Sequence, residues 1–285
     1  MSAWNWRPVA NVPTTDTLYG VYAGQAGAYA VGENGVVLRR DGKTWRSLVS
    51  GGPTGNGHTL RGVDASDDST ELWVVGGSGT VGVHDVEAGV TTALTVPNEE
   101  ANFTDVAVEG AGGAADVWIA DDSGRVHYSA PASLADRTWR TDEPGGGAGL
   151  TSVTVGPGGV VVTDTDGRAY RPAETGWGRL GVAAEDPLHC AVRANGVWFG
   201  SDDAVYAPDA DGATWDAEPA AEDSVTGLAA SEGTLVGVTE DGVAVARERG
   251  VWRTLELPVD EPLHAVAHDG RFVAVGESGT ILEAE

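Results

Sequence analysis

The six residues AVGENG, Ala30–Gly35, return as AVGESG at Ala274–Gly279, 244 positions later. Each copy belongs to a longer unit, and the unit occurs seven times. Its first residues are Leu18, Leu60, Phe103, Leu150, Leu188, Val225 and Leu263, a spacing of 37 to 47 residues. A period of that size holds one four-stranded supersecondary unit. Strand A is the segment LYGV, LRGV or LTSV. Strand B is apolar and often ends in VG. A tight turn with glycine follows, such as ENG or TEDG, of the kind that joins hairpin strands. Strand C is short, as in VVLRR. Strand D opens on a tryptophan in five units: Trp45, Trp139, Trp177, Trp215 and Trp252. The second unit has VTTALTV in that place.

The seventh unit stops at Glu285, after strand C. The other end of the chain carries a surplus strand, WRPVANVP, Trp6–Pro13, which matches WRSLVSG from Trp45 and WRTLELP from Trp252. An open solenoid needs atypical capping repeats at its ends. A ring needs the missing strand of one terminus supplied by the other, which removes an exposed sheet edge. The expected fold is therefore all-β: a single seven-bladed β-propeller over residues 1–285, with residues 6–13 as the outer strand of blade 7. The 42 glycines and the absence of any long helical period agree with many short strands and tight turns.

The charge narrows the environment. Asp and Glu number 43 against 17 Lys and Arg, a net charge of −26, and Lys43 is the single lysine. Such a surface resembles that of proteins from extreme halophiles, which implies a salt-adapted protein of a halophilic archaeon. Self-repulsion at this charge is costly in dilute buffer. It nearly vanishes in molar salt, where the screening length is about 3 Å. Nucleic acid is excluded as an expected partner, because its binding rests on neutralising phosphates with Lys and Arg. One cysteine, Cys190, allows no internal disulfide. The opening MSAWNWRPVANVP lacks the basic and apolar segments of a signal peptide. No apolar run is long enough to span a bilayer. A cytoplasmic monomer is the expectation.

The units LxxV…AVGExG…VLRRDGKTW resemble the propeller repeats of the photosystem II assembly and stability factors of plants and cyanobacteria. They are also similar to Asp-box repeats of the neuraminidase type, with the pattern Ser/Thr-x-Asp-x-Gly-x-Thr-Trp. RRDGKTW keeps Gly42, Thr44 and Trp45, but Arg40 stands at the aspartate position and Asp41 one place later. PDADGATW keeps Gly212, Thr214 and Trp215, with Ala210 at the aspartate position. The resemblance covers the whole chain. It implies a rigid disc that docks another protein on one face, and an Asp box that stabilises a turn without taking part in catalysis.

No catalytic, metal or cofactor site is expected. A sialidase needs an arginine triad and a tyrosine nucleophile, yet the arginines here fall mostly at strand C ends or after the strand D tryptophan, which are peripheral positions. A glycosidase needs two placed carboxylates, and no pair stands out. HAVAH sets His264 and His268 four apart on one strand, with no third zinc ligand evident. DTDG, Asp164–Gly167, reads as a hairpin turn and lacks the spaced ligands of a calcium loop. Cys190 reads as a small apolar residue near the axis.

One constellation remains. The second residue of strand A is Tyr19, Arg61, Thr104, Thr151, His189, Thr226 and His264 in blades 1 to 7. Each follows an apolar anchor, and none is acidic. These residues are expected at the channel mouth. The B–C turns of the same face carry Glu33, Asp121, Asp122, Asp164, Asp166, Asp202, Asp203, Glu240, Asp241 and Glu277, an expected acidic rim. A mildly basic, aromatic mouth inside an acidic rim suits a partner's loop or a ligand. The leading reading is a non-enzymatic scaffold for protein interaction or complex assembly. The alternative is a carbohydrate-active propeller, hydrolase or lectin-like.

Overall fold

The computed structural model describes residues 4–25, 27–97, 100–202 and 204–284. These residues form seven four-stranded antiparallel sheets, the blades of a β-propeller, and no α-helix. Strand A of each blade packs against strand A of the next. The first, Leu18–Gly24, meets the seventh, Leu263–His268, so the ring is closed. The anchors that open strand A in sequence are all buried, from Leu18 at 0% exposure to Leu150 at 2%. Six of these seven anchors begin the paired strand. In blade 5 the ladder starts two residues later, at Cys190, while Leu188 keeps its place in the core.

The terminus-to-terminus exchange is present. Blade 7 is built from Leu263–His268, Phe272–Gly276, Ile281–Ala284 and, outermost, Arg7–Pro8. Arg7 stands opposite Glu283 and Pro8 opposite Leu282, and the Val9 amide donates to the Ile281 carbonyl at 2.9 Å. The paired segment is shorter than the expected 6–13. Pro8 has no amide hydrogen to donate, which a sheet tolerates only at an edge. Asn11, with φ of 57°, then turns the chain away. What the short strand lacks in ladder bonds it supplies in packing. Trp6 is 5% exposed in the core shared by blades 6 and 7, with its ring 6.3 Å from that of Phe272.

The repeated phrase has a backbone cause. Gly32, Gly76 and Gly276 end strand B in blades 1, 2 and 7. A β-carbon at any of them would lie 2.0 Å from a carbonyl oxygen of the segment entering strand A: Thr17, Thr59 or Pro262. In blades 1 and 7 the next residues form a single 3-10 turn in which Asn34 and Ser278 adopt φ of 55° and 54°. Glycine follows each, again at positive φ, where a side chain is strained.

Three of the strand D tryptophans act between blades, while the Trp215 indole donates to the Val197 carbonyl of its own blade. The indole of Trp45 donates to Glu283 at 3.1 Å, Trp252 to Glu218 at 2.7 Å, and Trp177 to Asp142 at 3.4 Å. In each case the carboxylate belongs to the preceding blade. In two latches an arginine of strand C completes the contact with a bidentate fork, Arg40 on Glu283 and Arg247 on Glu218. Such charge-assisted pairs are directional as well as strong. They fix the angle of one blade on the next.

The degenerate Asp box is repaired in one place. Asp209, one residue before Ala210, accepts from the Ala213 amide and the Thr214 hydroxyl, both at 2.9 Å. A neighbouring carboxylate thus holds the turn that the family pattern assigns to the next position.

Candidate functional site

Seven inner strands with small or apolar residues leave a space at the axis. It is a cavity of about 730 Å³. Its wall includes all seven second residues of strand A: Tyr19, Arg61, Thr104, Thr151, His189, Thr226 and His264. Asn102 and Gly149, from loops entering strand A, and Asp122 and Thr165, from B–C turns, line it too. The cavity therefore opens on the face that carries those loops. The ring residues reach it because a bulge separates the first and third residues of strand A in six blades, all but blade 5. A bulge re-aims the side chain at its centre.

The ring has two chemical halves. Thr151 donates its hydroxyl to the Leu188 carbonyl, and Thr226 donates to the Leu263 carbonyl at 2.7 Å. Each acceptor is the first strand A residue of the next blade, so these two threonines join blades. On the other side, the Arg61 guanidinium lies 5.0 Å from the Tyr19 ring centroid, and the Tyr19 and His264 rings are 5.0 Å apart. The three form a cation–aromatic stack across blades 2, 1 and 7. Burial, and then the Glu33 carboxylate, push the Tyr19 phenol above its usual range. Burial pulls His264 below the usual histidine value, so its imidazole is neutral at pH 7. His189 donates from Nε2 to Asp202 at 2.5 Å, and Asp202 also accepts from Ser224 at 3.0 Å. The bond from His189 holds the Asp202 carboxyl below its usual range.

Two polar atoms of this wall are buried and have no hydrogen-bond partner among the described residues: Thr104 Oγ1 and His264 Nε2. Buried polar atoms are otherwise satisfied almost everywhere in folded proteins.

The acidic B–C turns do not form one rim. Asp121 and Asp164 are buried, at 0% and 1% exposure. Asp121 accepts from the Ser123 and Arg125 amides and from His127. Asp164 accepts from the Asp166 and Arg168 amides and from Tyr170. Both close their own hairpins, which is how a short turn satisfies its amides. They are removed from the rim on that ground. Asp166 pairs outward with Arg168 at 2.8 Å, and Asp241 accepts from Thr239. Asp203 lies outside the described residues. Glu33, Asp122, Asp202, Glu240 and Glu277 remain solvent-accessible. Glu33 accepts from the Thr17 amide and Tyr19, and Asp122 accepts twice from Asn102.

Two carboxylates that sequence reasoning passed over sit on the inner strands. Asp64 accepts from the Ala65 amide and, across the blade boundary, from the Val108 amide at 2.8 Å. Asp105 accepts from Val106 and, across the next boundary, from the Val153 amide and Ser152 hydroxyl, each at 2.9 Å. Burial raises Asp64 to about 7 and Asp105 to about 6. The signal was present in the sequence, since an aspartate inside strand A breaks an otherwise small or apolar pattern. Cys190 also faces the cavity, its thiol pushed up to about 12 by burial. Among the described residues no three His, Cys, Asp or Glu side chains gather as a metal site. His264 faces the cavity, whereas the His268 ring rests 4.5 Å from Phe272. Among the described residues no helix is long and apolar enough to cross a membrane.

No protein-family model and no curated protein matches the chain. Solved structures do. YCF48 from Cyanidioschyzon merolae superposes with a TM-score of 0.73 at 16% identity, over 98% of each chain. A structure of YCF48 bound to D1 peptide superposes with a TM-score of 0.77 at 16% identity, over 99% of this chain and 97% of that one. At that identity the likeness is one of architecture, and over 98–99% of its length the chain superposes on the fold of YCF48.

Proposed function

We propose that this propeller is a non-enzymatic, salt-adapted docking scaffold that receives a segment of a protein partner at the axial cavity. The observation that carries this reading is the pair of buried, unpartnered polar atoms, Thr104 Oγ1 and His264 Nε2, on a cavity wall that also bears the Arg61–Tyr19–His264 stack. Buried polar groups without partners cost about 1–3 kcal/mol each, and a bound chain's amides and carbonyls would satisfy them. Arginine and tyrosine are also the side chains that most often anchor protein interfaces. The peptide bound to YCF48 supports a protein segment as the occupant by analogy of fold.

The carbohydrate-active alternative has less support. The carboxylates that line the cavity, Asp105 and Asp122, are engaged by backbone amides and by Ser152 or Asn102. That arrangement suits turn and blade fixation more than proton transfer.

The test is the combined variant Arg61→Ala, His189→Ala, His264→Ala, used as bait in affinity purification at molar salt. The reading expects a stoichiometric protein captured by the native chain to be lost by the variant, with the melting temperature nearly unchanged. Partners that survive the triple substitution overturn it. Binding on a glycan array without any protein partner would favour the alternative.

A further inference from the structure

The positive charge of this acidic chain is not spread evenly. Four of its 17 basic residues, its single lysine among them, line one cleft of about 500 Å³ on the outer side of the ring closure. They come from three places brought together only by closure. Arg7 is on the N-terminal strand, Arg40 and Lys43 flank the C–D turn of blade 1, and Arg271 lies between strands A and B of blade 7. One carboxylate, Glu283, faces them. Arg40 holds Glu283 through Nε at 2.7 Å and Nη2 at 3.0 Å, and Arg271 reaches the same carboxylate at 3.3 Å. Arg7 and Lys43 have no carboxylate within ion-pair distance among the described residues, and both are exposed.

The Arg7 side chain is nonetheless held in place. The Asn5 amide oxygen, in the orientation its neighbours require, accepts from Arg7 Nη2 at 2.9 Å and Nε at 3.2 Å. Arg7 and Asn5 both line the cleft. The volume lies in the range of small-molecule sites. Pro8, Val9 and Ala10 supply an apolar side to the same wall.

We infer that the closure cleft is a binding site for a small ligand carrying a phosphoryl or diphosphoryl group, held between Arg7 and Lys43 and backed by the Arg40–Arg271–Glu283 cluster. Beside the Arg40–Arg271–Glu283 cluster, Arg7 and Lys43 add two positive charges with no carboxylate in ion-pair distance among the described residues, in a chain whose net charge is −26. An ordinary surface pair gains little from such clustering, and like charges gathered without a counter-ion repel one another. A multivalent oxyanion removes that repulsion, and guanidinium and ammonium groups are its usual ligands. Because its contacts come from both sides of the closure, the ligand would bridge the N-terminal strand to blade 1. The site lies at the rim of the disc, apart from the axial cavity, and shares no lining residue with it.

The experiment is isothermal titration of the whole protein with inorganic phosphate and pyrophosphate at a fixed molar concentration of potassium chloride. The expected result is a saturable single-site isotherm for pyrophosphate, tighter than for phosphate. The double variant Arg7→Ala, Lys43→Ala should weaken it at least tenfold, with an unchanged melting temperature in the absence of ligand. Arg61→Ala at the axial cavity should leave the isotherm as it is, so the two sites fail or stand independently. Either no saturable binding, or equal binding by the native chain and the double variant, overturns the inference. A self-association that Arg7→Ala, Lys43→Ala abolishes while pyrophosphate has no effect also overturns it, in favour of an acidic surface of a second copy.

Discussion

Replacing Trp6 by alanine tests whether the N-terminal strand closes the ring. Trp6 is 266 positions from Phe272 in sequence, yet the two rings lie 6.3 Å apart. Its side chain is 95% removed from solvent in the core of blades 6 and 7, beside Leu255, Leu282 and Phe272. A buried tryptophan hides about 150–250 Å², worth about 4–6 kcal/mol at 25 cal/mol per Å². Its indole N–H is buried without a hydrogen-bond partner among the described residues, which returns about 1–3 kcal/mol. The net cost of Trp6→Ala is then about 1–5 kcal/mol, centred near 3, which overlaps the range of other large core truncations. The assay is equilibrium denaturation in guanidinium chloride at constant high ionic strength. Trp6→Phe keeps an aromatic ring and drops the orphaned donor, so it should cost less than about 1.5 kcal/mol. Val90→Ala, at a site 58% exposed, should change stability by less than about 0.5 kcal/mol. A loss below about 1 kcal/mol for Trp6→Ala refutes the reasoning, because the closure would then not depend on the strand that supplies this residue.

Two further outcomes follow from the charges. Asp64 is raised to about 7 by burial, so between about pH 4 and 7 the folded state binds more protons than the unfolded state. Stability from this group is therefore greatest in acid and falls as pH rises through that window. Asp64→Asn should gain on the native chain by up to about 4 kcal/mol from pH 4 to pH 7, read from denaturation midpoints at each pH, and a difference that does not change with pH rules the argument out. The net charge of −26 predicts a melting temperature that climbs steeply from dilute buffer to molar salt as self-repulsion is screened. A flat melting curve across that range would count against salt adaptation.

Much of the architecture is written in local chemistry. The seven strand A anchors, the glycine that ends strand B and the tryptophan that opens strand D recur at matched offsets, and the missing strand of the last unit stands at the other terminus. Each of these is a one-dimensional pattern, because a blade buries the same positions every time it is repeated. Pro8 shows the limit even there: it adds no amide donor to a closing strand of two paired residues, and the buried Trp6 supplies packing beside that short ladder.

The site was legible in placement and not in role. That the second residues of strand A gather at the axis follows from the repeat, since equivalent positions meet wherever blades are arranged radially. Their division could not be read in advance. Thr151 and Thr226 bond to the next blade while Thr104 keeps an unpartnered hydroxyl, and the difference depends on where a neighbouring carbonyl lies. Asp121 and Asp164 look like any other turn acid in sequence, yet the hairpins fold over them and leave Asp122 and Asp166 outside. The meeting of Arg7, Lys43 and Arg271 is a further product of closure, with partners drawn from the first 43 residues and the last 15. Periodicity alone determined the ring and the address of each repeated position within it. Which polar atoms find partners, and which are left for something else, was decided by contacts between blades, because hydrogen bonding and desolvation act through space and not along the chain.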